Sequence, residues 1–178
     1  MALRWEHLEY GLIDMCKYIK ELGIYPKTIV EVGVFEGEST QIFINEFPDS
    51  TILCIDPWKI GFDDNDILSK CQNRMDEAER NFDIIKEKYS QNIIKLKGVS
   101  SSFESILTKY YPVDMTYIDG CHTYDAVKED IAFWKPKTKH LLCGHDFTSW
   151  IPVQEAVIES IGNPDKTFQD SSWIKKLI

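Results

Sequence analysis

Apolar positions change their spacing repeatedly along the chain, and each change marks an element. From Trp5 to Leu22, the residues Leu8, Leu12, Met15, Cys16, Ile19 and Leu22 share one helical face, and Gly23 ends the pattern. Pro26 opens a turn into a short apolar run over 28–33, which predicts a strand. A helix over 39–46 ends before Pro48, and a second strand over 51–56 is stopped by Pro57. Residues 58–66, with Gly61, Asp63, Asp64 and Asp66, read as a loop with a helix cap at its end. Leu68, Cys71, Met75, Ala78, Phe82, Ile85 and Tyr89 then alternate spacings of three and four, predicting a long helix with a break near its middle. A third strand over 93–98 precedes a helix over 102–109 that stops before Pro112. The fourth strand, 114–118, leads to a helix capped by Thr123, with Val127, Ile131 and Trp134 on its buried stripe. A fifth strand over 140–143, a helix over 153–161, and two short segments (166–169 and 172–177) around Asp170-Ser171 complete the chain as a closing hairpin.

Strands alternating five times with helices predict an α/β fold around a mostly parallel sheet. The sequence has no repeats and no low-complexity tracts, so residues 1–178 read as one domain. Residues 1–26 form an N-terminal helical segment ahead of a core over 27–178.

The chemistry concentrates where strands end. Thr28-Ile-Val-Glu-Val-Gly-Val-Phe-Glu-Gly-Glu-Ser-Thr40 joins an apolar strand with an acid, Glu31, to two glycines, Gly33 and Gly37, and then a helix start. Glycines let the backbone turn sharply and bring a ligand against the main chain, and the helix N-terminus offers unpaired N–H groups to an anion. The second strand also ends in an acid, Asp56, placed to accept hydrogen bonds from two ribose hydroxyls. The pair predicts a nucleoside-bearing cofactor across the tops of adjacent parallel strands. A dinucleotide fits less well, because Phe35 and Glu36 occupy the turn where a third glycine would belong.

Composition narrows the partners. The chain has 178 residues, 43% hydrophobic and 28% charged, which is ordinary for a soluble domain. A net charge of −9 argues against nucleic acid or an anionic membrane as partner, and Lys135, Lys137 and Lys139 read as a solvated turn. Five cysteines without a C-x-x-C pair make neither a zinc framework nor a secreted disulfide scaffold. The N-terminus lacks the apolar core of a signal peptide and no run reaches transmembrane length, so a cytoplasmic location is expected. Asp63-Asp64-Asn65-Asp66 lacks the later glycine and glutamate of a calcium loop and reads as a helix cap.

Four motifs then carry a resemblance: Glu31-Val-Gly-Val-Phe-Glu-Gly-Glu-Ser-Thr40, Cys54-Ile-Asp-Pro-Trp58, Tyr117-Ile-Asp-Gly-Cys-His-Thr-Tyr124 and Gly144-His-Asp-Phe147. From Lys27 to the C-terminus the chain resembles the class I S-adenosylmethionine-dependent methyltransferases. Within that class it looks most like the small-molecule and sugar O-methyltransferase branch, which includes the macrolide-sugar and cephalosporin-type enzymes. The resemblance implies a Rossmann-like, doubly wound, seven-stranded sheet with a C-terminal antiparallel hairpin. It implies that Glu31, Gly33 and Gly37 form the cofactor turn and that Ser39 lies near the methionine carboxylate. Asp56 would take the ribose, Trp58 would flank the nucleoside, and Ser100 in Gly98-Val-Ser100 would lie near the adenine. Asp119 would lie at the methionyl end beside the acceptor and, with His145 and Asp146, would match positions that hold a divalent ion in metal-dependent members, Mg²⁺ or Mn²⁺. His122 matches the position of a base.

His145 departs from that pattern, in which a carboxylate is common at its position; imidazole suits Mn²⁺, Fe²⁺ or Zn²⁺ better than Mg²⁺. The residue types fit the chemistry otherwise: a hydroxyl losing its proton needs a base near neutral pH or a cation on its oxygen. Simpler readings stand beside these. Asp119 also suits a helix cap, His122 a backbone hydrogen bond, and Trp58 a hydrophobic plug; Tyr124 and Trp134 suit packing, and His7 and His140 a structural or exposed role. The expected acceptor is a hydroxylated small molecule or sugar, in a pocket that is either open or covered by the helix at 5–22 and the loop at 58–66, together with a second subunit of a homo-oligomer. Cofactor cleavage, aminopropyl transfer and a non-catalytic binding module are the alternatives the same scaffold allows.

Overall fold

The computed structural model describes residues 6–63, 66–67 and 70–177, with side chains from residue 10 onward. Trp5, Asp64, Asn65 and Leu68, and the side chains of His7 and Leu8, lie outside what it describes. The elements run α1 (Glu6–Glu21), β1 (Thr28–Val32), α2 (Glu38–Glu46), β2 (Thr51–Asp56), α3 (Gln72–Lys88), β3 (Ile93–Lys97), α4 (Glu104–Leu107), β4 (Val113–Ile118), α5 (Tyr124–Trp134), β5 (Thr138–Gly144), α6 (Ile151–Ile161), β6 (Lys166–Thr167) and β7 (Trp173–Lys176).

The strands form one seven-stranded sheet in the order β3-β2-β1-β4-β5-β7-β6. The first five are parallel, and β7 pairs antiparallel with both β5 and β6. Side-chain alternation along each strand feeds two cores, which is why the strands read as continuous apolar runs. Ile29, Cys54 and Tyr117 pack with Leu12, Phe43 and Phe82 under α1, α2 and α3. Val30, Val32, Leu53 and Ile118 pack with Val127, Ile131, Trp134 and Val157 under α5 and α6.

Two expected helices differ from the sequence reading. The stripe Met75, Ala78, Phe82 and Ile85 is continuous and buried, so α3 runs unbroken from Gln72. The helix expected over 102–109 resolves into a 3₁₀ turn at Ser100–Phe103, one turn of α-helix, and a second 3₁₀ turn at Thr108–Tyr110. A run of three serines favours local hydrogen bonding over helix propagation, which accounts for the break-up.

Register fixes what stands at the carboxyl edge. Val32 pairs with Ile55 and Ile118, Ile55 with Leu96, and Ile118 with Gly144. The next residue of each strand therefore stands on one rung: Asp56, Gly33, Asp119 and His145, side by side at strand spacings of about 4.8 Å.

Candidate active site

The first turn of the site is built around a buried acid. Glu31 is fully buried and accepts hydrogen bonds from the hydroxyls of Ser39 and Thr40. Those hydroxyls satisfy a carboxylate that burial would otherwise leave costly, and they tie the end of β1 to the start of α2. Gly33 takes φ +84°, and a Cβ there would stand 2.0 Å from the carbonyl oxygen of Asp119. Only glycine lets the turns after β1 and β4 approach this closely. Phe35, Trp58 and Asp146 also adopt positive φ, at +50°, +43° and +62°, so three non-glycine residues carry strain on the same edge.

Asp56 gathers three backbone N–H groups: Val34 at 2.8 Å, Phe35 at 2.9 Å and Trp58 at 2.6 Å. Burial raises its pKa, and these three donors oppose the rise. A carboxylate has about four acceptor positions, so Asp56 organises both loops with one position left for a hydroxyl. The Trp58 ring is 1% exposed, stacks on Phe82 at 5.2 Å, and donates from Nε1 to the Phe35 carbonyl. In this arrangement the ring offers no face to a nucleoside; it fills the space under its loop as a plug. Ser100 is likewise buried, accepting a hydrogen bond from Trp134 Nε1 at 3.0 Å. Gly37, φ +82°, is the cap of α2.

A second cluster lies past β4 and β5. The Asp146 carboxylate sits 3.0 Å from His122 Nε2 and 3.1 Å from His145 Nδ1, and Asp119 is 3.6 Å from His145 Nδ1. Burial alone would lower the His122 pKa, but the hydrogen bond with Asp146, the charges of Asp146 and Asp119, and the hydrogen bond with Asp63 raise it to about 9. Burial alone would raise Asp146, but the two histidines hold it well below the usual carboxylate range. Beneath these groups is a cavity of about 10 Å³, lined by Asp119, His122, His145, Asp146, Val127 and Trp173. A broader groove of about 510 Å³, lined by Tyr124, Glu155, Ile158 and Glu159, shares none of these residues.

One oxygen each from Asp119 and Asp146 and one nitrogen from His145 lie within 4.8 Å of one another. Two carboxylates and an imidazole are a donor set that suits a first-row divalent cation, so the residues fit the metal implied by the resemblance. The glycine turn and the N-terminus of α2 fit an anionic cofactor end in the same way.

Four contributors to the site are invisible to sequence reasoning. Asp63, read as part of a solvated cap, is 5% exposed and accepts from the His122 backbone N–H at 2.8 Å, with His122 Nδ1 at 2.9 Å. Cys121 Sγ donates to the Phe62 carbonyl at 3.0 Å. The segment after β2 thus crosses the end of β1 to reach the segment after β4, strapping the candidate cleft. Trp150 stacks on His122 at 4.8 Å. Asp170, in the hairpin turn, is 2% exposed and stands 3.9 Å from His145 Nε2. Each contact spans two distant loops, and no local spacing encodes it.

The methyltransferase-domain family matches the chain over residues 30–147, and the chain belongs to that family. By sequence, no curated protein matches it. Solved structures share its fold at low identity. A proposed caffeoyl-CoA O-methyltransferase from Staphylococcus aureus is 18% identical, with a TM-score of 0.61 over 93% of this chain and 81% of that one. The O-methyltransferase TomG from Streptomyces achromogenes, involved in tomaymycin synthesis and solved with S-adenosylmethionine, is 12% identical, with a TM-score of 0.56 over 92% of this chain and 63% of that one. An O-methyltransferase from Bacillus cereus, solved with S-adenosylhomocysteine, is 12% identical, with a TM-score of 0.57 over 84% and 66%. Family and fold together make the chain a methyltransferase. Among the described residues, no helix is long and apolar enough to cross a membrane.

Proposed function

We propose that this methyltransferase acts on oxygen, transferring a methyl group to a hydroxyl of a small molecule or sugar. The observation that carries the reading is the convergence of Asp119, His145 and Asp146 within 4.8 Å of one another, the first two on the rung that also bears Gly33 and Asp56. A hydroxyl is a poor nucleophile until its proton is lost, and a cation-binding cluster beside the cofactor turn answers that need.

S-adenosylmethionine, when bound, supplies an electrophilic methyl carbon on a sulfonium. Gly33 and Gly37 give its methionyl end room against the main chain, Asp56 accepts from its ribose, and Asp119 borders its reacting end. Glu31, Ser39, Trp58 and Ser100 act from behind, holding the turn, the plug and the adenine side in shape. Asp119, His145 and Asp146 would hold a divalent ion, which would supply positive charge to favour loss of a hydroxyl proton. His122 takes the acceptor proton at Nε2, once Asp146 no longer engages that nitrogen. While both Asp63 and Asp146 flank it, His122 holds its own proton up to about pH 9. Trp150, stacked on His122, forms an apolar wall that favours an acceptor with a flat or apolar face.

Incubation with methyl-labelled S-adenosylmethionine and a panel of phenolic, aliphatic and sugar hydroxyls, with Mg²⁺ or Mn²⁺, tests the reading. Label on an acceptor oxygen is expected. Cofactor consumption with label only in water-soluble breakdown products, or label on nitrogen or carbon, would overturn it.

A further inference from the structure

The hairpin turn contains a charge that packing alone does not account for. Asp170 is 2% exposed, and its carboxylate accepts from the Ser172 backbone N–H at 3.0 Å and from the Ser172 hydroxyl at 2.7 Å. Both donors are neutral, and a buried carboxylate is costly until its acceptor positions are filled by hydrogen-bond donors. The further donor placed for this is His145, whose Nε2 is 3.9 Å away and whose side chain is itself only 10% exposed. The chain is shaped to keep this acid in place. Gly11 of α1 lies directly against it, and a Cβ there would stand 2.3 Å from Oδ1 and 2.4 Å from the carboxyl carbon. Only a glycine lets α1 roof over Asp170 and exclude water from it. On the other side, Trp173 Nε1 donates to the His145 carbonyl at 3.2 Å, fixing the main chain that carries the imidazole.

The imidazole therefore lies between two groups of carboxylates. Nε2 faces Asp170, while Nδ1 faces Asp119 and Asp146 at 3.6 and 3.1 Å. A histidine that gives one N–H to a buried carboxylate presents its other nitrogen as an unprotonated, more basic donor. We propose that Asp170 is the positioning residue of the cation site: it takes the Nε2–H of His145, turns Nδ1 toward Asp119 and Asp146, and makes the site select Mn²⁺, Fe²⁺ or Zn²⁺ over Mg²⁺. Closing the Nε2–carboxylate distance to a hydrogen bond needs a shift of about 1 Å. Selectivity follows from the donor set: nitrogen ligation favours the later first-row ions, whereas Mg²⁺ prefers oxygen ligands alone. This inference rests on the cation part of the proposed function, and deepens it by naming the ion class and the residue that sets it.

The test uses the whole protein, stripped with a chelator, and three measurements. These are calorimetric titration with Mn²⁺ and with Mg²⁺, pulsed electron paramagnetic resonance of the Mn²⁺-loaded sample for histidine nitrogen coupling, and thermal melting of the stripped protein. The wild type is expected to bind Mn²⁺ at least about tenfold more tightly than Mg²⁺ and to show nitrogen coupling. Asp170→Asn is expected to weaken Mn²⁺ about 10- to 100-fold, with Mg²⁺ changed less than about threefold. His145→Asp is expected to remove the nitrogen coupling and the preference for Mn²⁺, and to make the site indifferent to Asp170→Asn. Should Asp170→Asn fail to fold, the smaller Asp170→Ser removes the carboxylate without overfilling its site under Gly11, and the same selective loss of Mn²⁺ is expected. Nitrogen-coupled Mn²⁺ binding that is unchanged in a folded Asp170→Asn protein would overturn the positioning role and leave the cation site standing. No binding of either ion by the folded wild type would overturn the cation site itself, and this inference with it.

Discussion

Asp130 offers a sharp quantitative test, because its burial is costly and its cost depends on pH. It lies on α5 beside Gly120, its Oδ2 3.8 Å from where a Cβ on Gly120 would stand. Burial, with the nearby charge of Glu129 as a second cause, raises its pKa from 3.8 to about 7. In the unfolded chain this acid gives up its proton near 3.8, while the folded protein keeps it to about 7. Between those values the folded state binds more protons, so stability is greatest below the window and falls as pH rises through it. The whole displacement corresponds to about 4 kcal/mol, a ceiling that partial contact with water lowers to about 2 kcal/mol. Asp130→Asn keeps the shape and removes the charge. Urea unfolding of cofactor-free protein should give the variant about 2 kcal/mol of extra stability at about pH 8 and almost none at about pH 4. An equal gain at both pH values, or no gain at the higher one, would refute the reasoning.

The other predictions concern the turn and the histidine. Gly33→Ala places a methyl 2.0 Å from a backbone carbonyl at φ +84°, so a loss above about 3 kcal/mol is expected, measured by denaturant midpoint. Glu31→Gln leaves one acceptor oxygen for two hydroxyls, Ser39 and Thr40, and should cost about 1–3 kcal/mol in the same assay. The His122 pKa is raised to about 9, so its interactions stabilise metal-free protein fully below about pH 6.5 and are lost as pH rises through about 9. In a melting series across that range, His122→Gln should flatten a decline worth up to about 3 kcal/mol.

Much of the fold is legible in the sequence because parallel strands buried on both faces leave a simple mark: an apolar run ended by an acid or glycine. Gly33, Asp56 and Asp119 could be read at their strand ends, with Glu31 just inside the first, and register then brings the three together on one rung. Helix boundaries were less legible where local hydrogen bonding competes, as in Ser100-Ser-Ser-Phe103. The shape of the site was least legible. Asp63 meets His122 across 59 positions of chain, and Asp170 meets His145 across 25. Trp58 has the type and place of a nucleoside neighbour, yet the stripe of α3 supplies Phe82 to bury it. Such pairings depend on how loops cross the carboxyl edge, and the sequence alone carries no period that reports it.

Adenosine and methionine recognition at the edge formed by Gly33, Asp56 and Asp119 underlies every role assigned to the site, and calorimetric titration of S-adenosylhomocysteine into the folded protein is its decisive test. Saturable one-to-one binding, accompanied by a rise in melting temperature and weakened at least about tenfold by Asp56→Ala, is the predicted result. A folded wild type that takes up neither S-adenosylhomocysteine nor S-adenosylmethionine, with an unmoved melting temperature, would contradict it.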